Sequence, residues 1–113
     1  MHVFEVKNAE LVESITEQAK AAGVTDGVIV SLIGAADSFT LSTMPADDPS
    51  ADIVTDYDQP AEIVGVVGDI VGGVLHLHAT MAVEGDKGVA GHLHRAQIGH
   101  WFARAYVLPS DVA

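Results

Sequence analysis

Five of the six histidines lie between positions 76 and 100, and two of their spacings repeat: His76-Leu77-His78 and His92-Leu93-His94. On an extended strand, residues two apart point to one face, with Cα atoms about 6.5–7 Å apart. Two imidazoles so placed can converge on one ion, and a third ligand must then come from a neighbouring strand. An all-imidazole set without thiolate suits zinc best, with copper, nickel, iron or manganese as further candidates. The chain has no cysteine, which excludes disulfides, thiolate metal sites and cysteine nucleophiles. Three protein ligands leave a fourth position for water, a carboxylate or a small ligand. A metal held in that way lowers the pKa of bound water and polarises carbonyls.

His76, His78 and His92 are therefore the candidate metal ligands, with His94 a candidate outer partner or fourth ligand. Four polar rings beside apolar strands are hard to satisfy without an ion or dense hydrogen bonding. Glu62, Glu84 and Asp69 are the acids nearest in sequence, available as fourth ligand, supporting carboxylate or general base. His2 and His100 read as ordinary hydrogen-bonded residues. Cupin barrels also carry a His-x-His strand, but their motif needs a glutamate four or five residues past the second histidine. Here the first acid after His78 is Glu84, six residues on.

Register decides whether the two histidine pairs meet. A loop of Gly85-Asp86-Lys87 sets His78 opposite His94 and His92 opposite Thr80. A shift of one pair sets His78 opposite His92. Both registers bring at least three imidazoles to one face, whereas a two-residue turn would separate the pairs onto opposite faces.

Around this pair of strands the chain punctuates itself clearly. Residues 2–7 read as a short strand. Residues 9–22 carry Leu11, Ile15, Ala19 and Ala22 on one stripe of an amphipathic helix, with Asn8 as the expected N-cap and Gly23 as the residue that ends it. Residues 28–33 form a continuous apolar run, as expected for a strand buried on both faces. Residues 38–42 alternate, as expected for a half-exposed one. Residues 44–59 hold Pro45, Pro49 and five aspartates, and read as a solvated loop with a short strand near Ile53-Val54. An acidic ion-binding loop is the sharper alternative there, but the calcium-loop spacing is missing. Residues 62–68, 74–83, 89–94 and 98–108 supply further strands, and Ile29 to Gly34 rhymes with Ile63 to Gly68. Trp101 and Phe102 are expected in the core or between subunits.

The chain has 113 residues, enough for a single domain over residues 1–113. One helix and about six to eight strands joined by short connections give an α+β fold built mainly on an antiparallel sheet. A single helix cannot cover both faces of such a sheet, so a second copy is the simplest cover and a homo-oligomer is expected. The net charge of −11 opposes a phosphate backbone, so DNA binding by the bare domain is disfavoured. No apolar run reaches the roughly 18–20 residues of a membrane span. The first residues lack a basic stretch followed by an apolar one, so the expected location is the cytoplasm.

Residues 74–81, the turn from Gly85 to Gly88, and Val89-Ala90-Gly91-His92-Leu93 together resemble the signature of the PPC (plants and prokaryotes conserved) domain family. Members show a His-x-His strand, a glycine-containing turn and a Gly-Gly-His-Leu segment. The resemblance extends to Glu62-Ile63 with Gly68, to residues 31–34 and to the first strand and helix. It implies a compact α+β trimer with an antiparallel sheet, and a metal, usually zinc, held by His76, His78 and His92. In plants the domain accompanies AT-hook segments of nuclear DNA-associated proteins, and some prokaryotic members are labelled DNA-binding for that reason. This chain has no such hook. Ala90 stands in place of the first glycine, and Arg104 stands near the end of the last strand where members often carry glutamate. An arginine there favours a small anionic ligand or a salt bridge. The implied function is a trimeric metal-binding module with an open coordination position. DNA binding or regulation is the first alternative, and a zinc-dependent hydrolase or lyase the second.

Overall fold

The computed structural model describes residues 1–111. Among these are one helix and nine strands: β1 (His2–Val6), β2 (Ala9–Glu10), α1 (Leu11–Ala21), β3 (Gly27–Ala36), β4 (Ser38–Thr43), β5 (Ile53–Tyr57), β6 (Ala61–Val71), β7 (Val74–Val83), β8 (Lys87–Ile98) and β9 (Ala103–Pro109). The strands form one antiparallel sheet in the order β1-β9-β3-β6-β7-β8-β4-β5, with β2 paired to the end of β8.

The helix buries Leu11, Ile15 and Ala19, the stripe expected of a core-facing helix. Its start differs from expectation. Asn8 takes a left-handed turn (φ 48°), and Glu10 is the N-cap. The Glu10 carboxylate accepts hydrogen bonds from the Val12 and Glu13 amides at 2.9 Å, and also from the Ala96 amide of β8 at 2.9 Å. One side chain thus satisfies two free amides of the first turn and ties the helix to the sheet. At the other end Gly23 (φ 75°) donates to the Lys20 carbonyl and Val24 to the Ala19 carbonyl, a Schellman closure.

Side chains alternate across each strand. On β7, Leu77, Ala79 and Met81 are buried under α1, so His76, His78 and Thr80 point the other way. The same alternation divides β3. Ile29 and Leu32 are buried, while Val28, Val30 and Ile33 lie on the uncovered face. β3 is therefore apolar on both faces but covered on one only within the chain, which corrects the expectation of burial on both. Beside these residues lies Val67 of β6, 76% exposed. The face opposite α1 is thus strongly apolar as well as open. The rhyming segments are neighbours: Ile29 pairs with Gly68 and Gly34 with Ile63.

β4 also departs from its pattern. Phe39, Thr40, Leu41 and Ser42 are all buried. β4 lies between β5 and β8, Phe39 stacks on Tyr57 at 4.8 Å, and the Thr40 hydroxyl donates to Asp56 at 2.6 Å. A polar residue tolerates burial when its hydrogen bonds are made. Trp101 is 67% exposed and so is not a core residue.

Two turns set the register around the histidines. Gly72 and Gly73 have φ values of 58° and 80°, as a two-residue type I′ hairpin requires; they set Val71 opposite Val74 and hence Val67 opposite His78. Glu84-Gly85-Asp86 then reverses the chain and sets Val83 opposite Lys87.

Candidate metal centre

The β7–β8 register places His78 directly opposite His92. Of the two odd-loop registers compatible with the sequence, this is the one shifted by a pair. His76 lies two residues along the same face. One ring nitrogen from each of His76, His78 and His92 falls within 4.8 Å of the others. The rings stand nearly perpendicular, with centroids 4.9 Å apart for His76–His78, 4.7 Å for His76–His92 and 6.0 Å for His78–His92. Tetrahedral zinc with metal–nitrogen bonds near 2.05 Å needs nitrogens about 3.4 Å apart. From a spread of 4.8 Å the nitrogens need to close by about 1.4 Å at most to reach that spacing. The donor set therefore fits a divalent transition metal.

His76 and His78 are exposed and His92 is half-buried. Burial, followed by the like charges of His94, His76 and His78, lowers the His92 pKa below its ordinary value; the Asp52 carboxylate acts in the opposite sense. The ring is thereby biased to the neutral form that binds metal.

His94 has a different role. The β4–β8 pairing runs Thr40 to Arg95 and then Leu41 to Leu93, leaving His94 as the extra residue of a β-bulge. Its Nε2 lies 2.7 Å from the buried Ser42 Oγ, and its ring packs edge-on against His92 at 4.6 Å. It braces the side of His92 away from the cluster. Close packing at Gly91 holds His92 in place, because a Cβ there would lie 2.5 Å from the Ser42 carbonyl oxygen.

The other candidates lie elsewhere within the chain. Glu62 sits on β6 opposite Ala82, in a cleft with Trp101 and Phe102. Arg104 pairs opposite Ile33 and Glu5, its guanidinium 4.4 Å from the Phe102 ring centroid. Glu84 is in the β7–β8 turn. Asp69 is the acid beside the cluster, directly opposite His76. Arg95 pairs with Asp56 at 3.6 Å and donates to Thr40. Asp48 accepts from Ser50, so these two aspartates of the acidic segment are engaged locally, as in a solvated loop. His2 stacks on Phe4, and His100 lies 3.1 Å from Asp37.

The sequence did not single out Asp52 as a site residue. It lines a 680 Å³ cleft with Ser42, Met44, Val66, Val67, His78 and His92. On the other side of His78 a shallower cleft of 340 Å³ is lined by Val28, Asp69 and His76.

A one-helix antiparallel sheet with three imidazoles gathered on its open face defines an α+β domain built around a histidine cluster. The chain belongs to the Plants and Prokaryotes Conserved (PCC, or PPC) domain family, whose model matches residues 1–109. Solved structures share the fold. A metal-containing protein of Archaeoglobus fulgidus is 22% identical, with a TM-score of 0.80 over 96% of this chain and 77% of that one. A PPC protein of Pyrococcus horikoshii is 16% identical, with a TM-score of 0.84 over 98% and 79%. A protein of Bacteroides thetaiotaomicron proposed to bind DNA is 23% identical, with a TM-score of 0.79 over 98% and 80%. Comparison with curated proteins gives no match. Among the described residues no helix is long and apolar enough to cross a membrane.

Proposed function

We propose that this chain is the subunit of a homotrimeric metal-binding protein, in which His76, His78 and His92 hold one divalent transition metal, zinc by donor type. The observation that carries this reading is the gathering of three imidazole nitrogens within 4.8 Å on one sheet face. The metal-containing Archaeoglobus relative supports it. When bound, the metal supplies a Lewis acid with one open position for water or a small anionic ligand. The chain's own residues orient and shield that position: His94 braces His92, Asp69 stands opposite His76, and Val67 flanks His78. Subunit association is supported by the open apolar face, where Val28, Val30, Ile33 and Val64 are 40–59% exposed. A patch of that kind is what a second copy covers.

The DNA-binding description of the Bacteroides relative gives a second reading. A net charge of −11 opposes it, since phosphate neutralisation needs clustered cations. Elemental analysis after metal loading, paired with native mass measurement, tests the first reading. The expected result is one ion per subunit and a mass of three chains. Retention of the ion by the triple variant His76→Ala, His78→Ala, His92→Ala would exclude the site.

A further inference from the structure

The 680 Å³ cleft beside the histidines has an unusual charge pattern. Its walls include the apolar side chains of Met44 and Val67, and the small residues Gly65 and Ala90, both opposite Thr80, leave it wide. It has no lysine or arginine. The whole stretch from Met44 to Asp86 lacks one. Its only acidic wall residue is Asp52, which is exposed at the loop end. Among the described residues, Asp52 makes neither a salt bridge nor a side-chain hydrogen bond. A free anion entering this cleft meets no cation of the protein, and Asp52 repels it. Only a metal on the three imidazoles could hold an anionic group there. A positively charged group, in contrast, has one partner waiting.

We propose that this cleft binds a small zwitterionic ligand whose anionic head coordinates the metal, whose apolar body lies along Met44 and Val67, and whose protonated amine pairs with Asp52. The proposal rests on the metal reading above and names the ligand class for that site. Apolar walls suit the uncharged body, because burying it needs no polar partner. The amine end discriminates, since it is the only charged contact the protein itself supplies.

Cobalt(II)-loaded protein provides the test, because cobalt absorption reports metal binding independently of the ligand. Linear ω-amino hydroxamates of four to eight carbons are titrated beside the same compounds without the amine. The expected result is that the amino compound of the best-fitting length binds roughly three- to tenfold tighter, the range of a partly solvated ion pair. Asp52→Asn should erase that preference and leave the cobalt spectrum unchanged, which also reports an intact fold. Equal binding of both series, binding of neither, or a preference that survives in Asp52→Asn overturns this proposal alone. Failure of the protein to bind cobalt overturns the metal reading and this proposal with it.

Discussion

The same tripeptide pattern occurs twice on adjacent strands, yet the two copies are used differently. On β7, His76 and His78 both face the cluster. On β8, His92 joins them while His94 bonds to Ser42. The difference lies in pairing: in the described pairing β7 meets β8 without a break from His78 to Val83, whereas β8 meets β4 through a bulge at His94. A regular strand preserves the two-residue repeat, and a bulge re-aims the side chain that it inserts. Identical spacing therefore gives two ligands on one strand, and one ligand plus one brace on the other.

The sharpest way to break this comparison is to replace His92 and His94 separately by alanine. His92→Ala removes a direct ligand and should weaken metal binding by at least about 100-fold, since losing even an outer partner costs 10–100-fold. Competition against a chromogenic chelator measures this. Gly91→Ala should come next. Its Cβ would press on the Ser42 backbone carbonyl at 2.5 Å, an atom that cannot swing aside, so about 1–3 kcal/mol of stability should be lost in urea unfolding of the metal-free protein. Because His92 is the next residue, metal affinity should fall with it. His94→Ala should do less. It leaves the buried Ser42 hydroxyl without this partner, at a cost of about 1 kcal/mol, and metal affinity should fall by about tenfold, the low end of what an outer partner costs, because His94 bonds to Ser42 and not to a ligand ring. An effect of His94→Ala on affinity equal to that of His92→Ala would show that both histidines are ligands and that the bulge does not separate them.

The helix and the two histidine strands were legible because each is written locally. Leu11, Ile15 and Ala19 recur at helical spacing, and residues 74–83 match β7 end to end. What escaped the sequence depends on distant backbone. Glu10 caps the helix in a position also secured by the Ala96 amide, 86 residues away, whereas Asn8 has the better local cap chemistry. The bulge at His94 arises from how β4 meets β8, and no residue type announces it. Asp52 reaches the cleft because β5 folds back beside β4. In the sequence it is one aspartate among several. The apolar run of β3 correctly indicated two apolar faces. Burial of the second face, however, depends on what lies outside the chain.

The smallest effect concerns charge, and it separates the half-buried histidine from its exposed neighbours. In the folded, metal-free chain the His92 pKa is lowered from its ordinary value of 6.5, chiefly by burial. Below that ordinary value the unfolded chain binds a proton at this position more readily than the folded one. Stability therefore rises with pH in that window: the contribution is present above about pH 6.5 and is lost as pH falls through the lowered folded value. Asp52 opposes the shift, so Asp52→Asn should deepen it. Urea midpoints of the metal-free protein between pH 5 and 7.5 should thus fall more steeply toward acid in Asp52→Asn than in the parent, and least in His92→Gln, which has no imidazole to titrate. Loading the metal should steepen the dependence further, because the cation and the proton compete for the same nitrogens. A His92→Gln profile that matches the parent's in slope would assign the acid sensitivity to other groups.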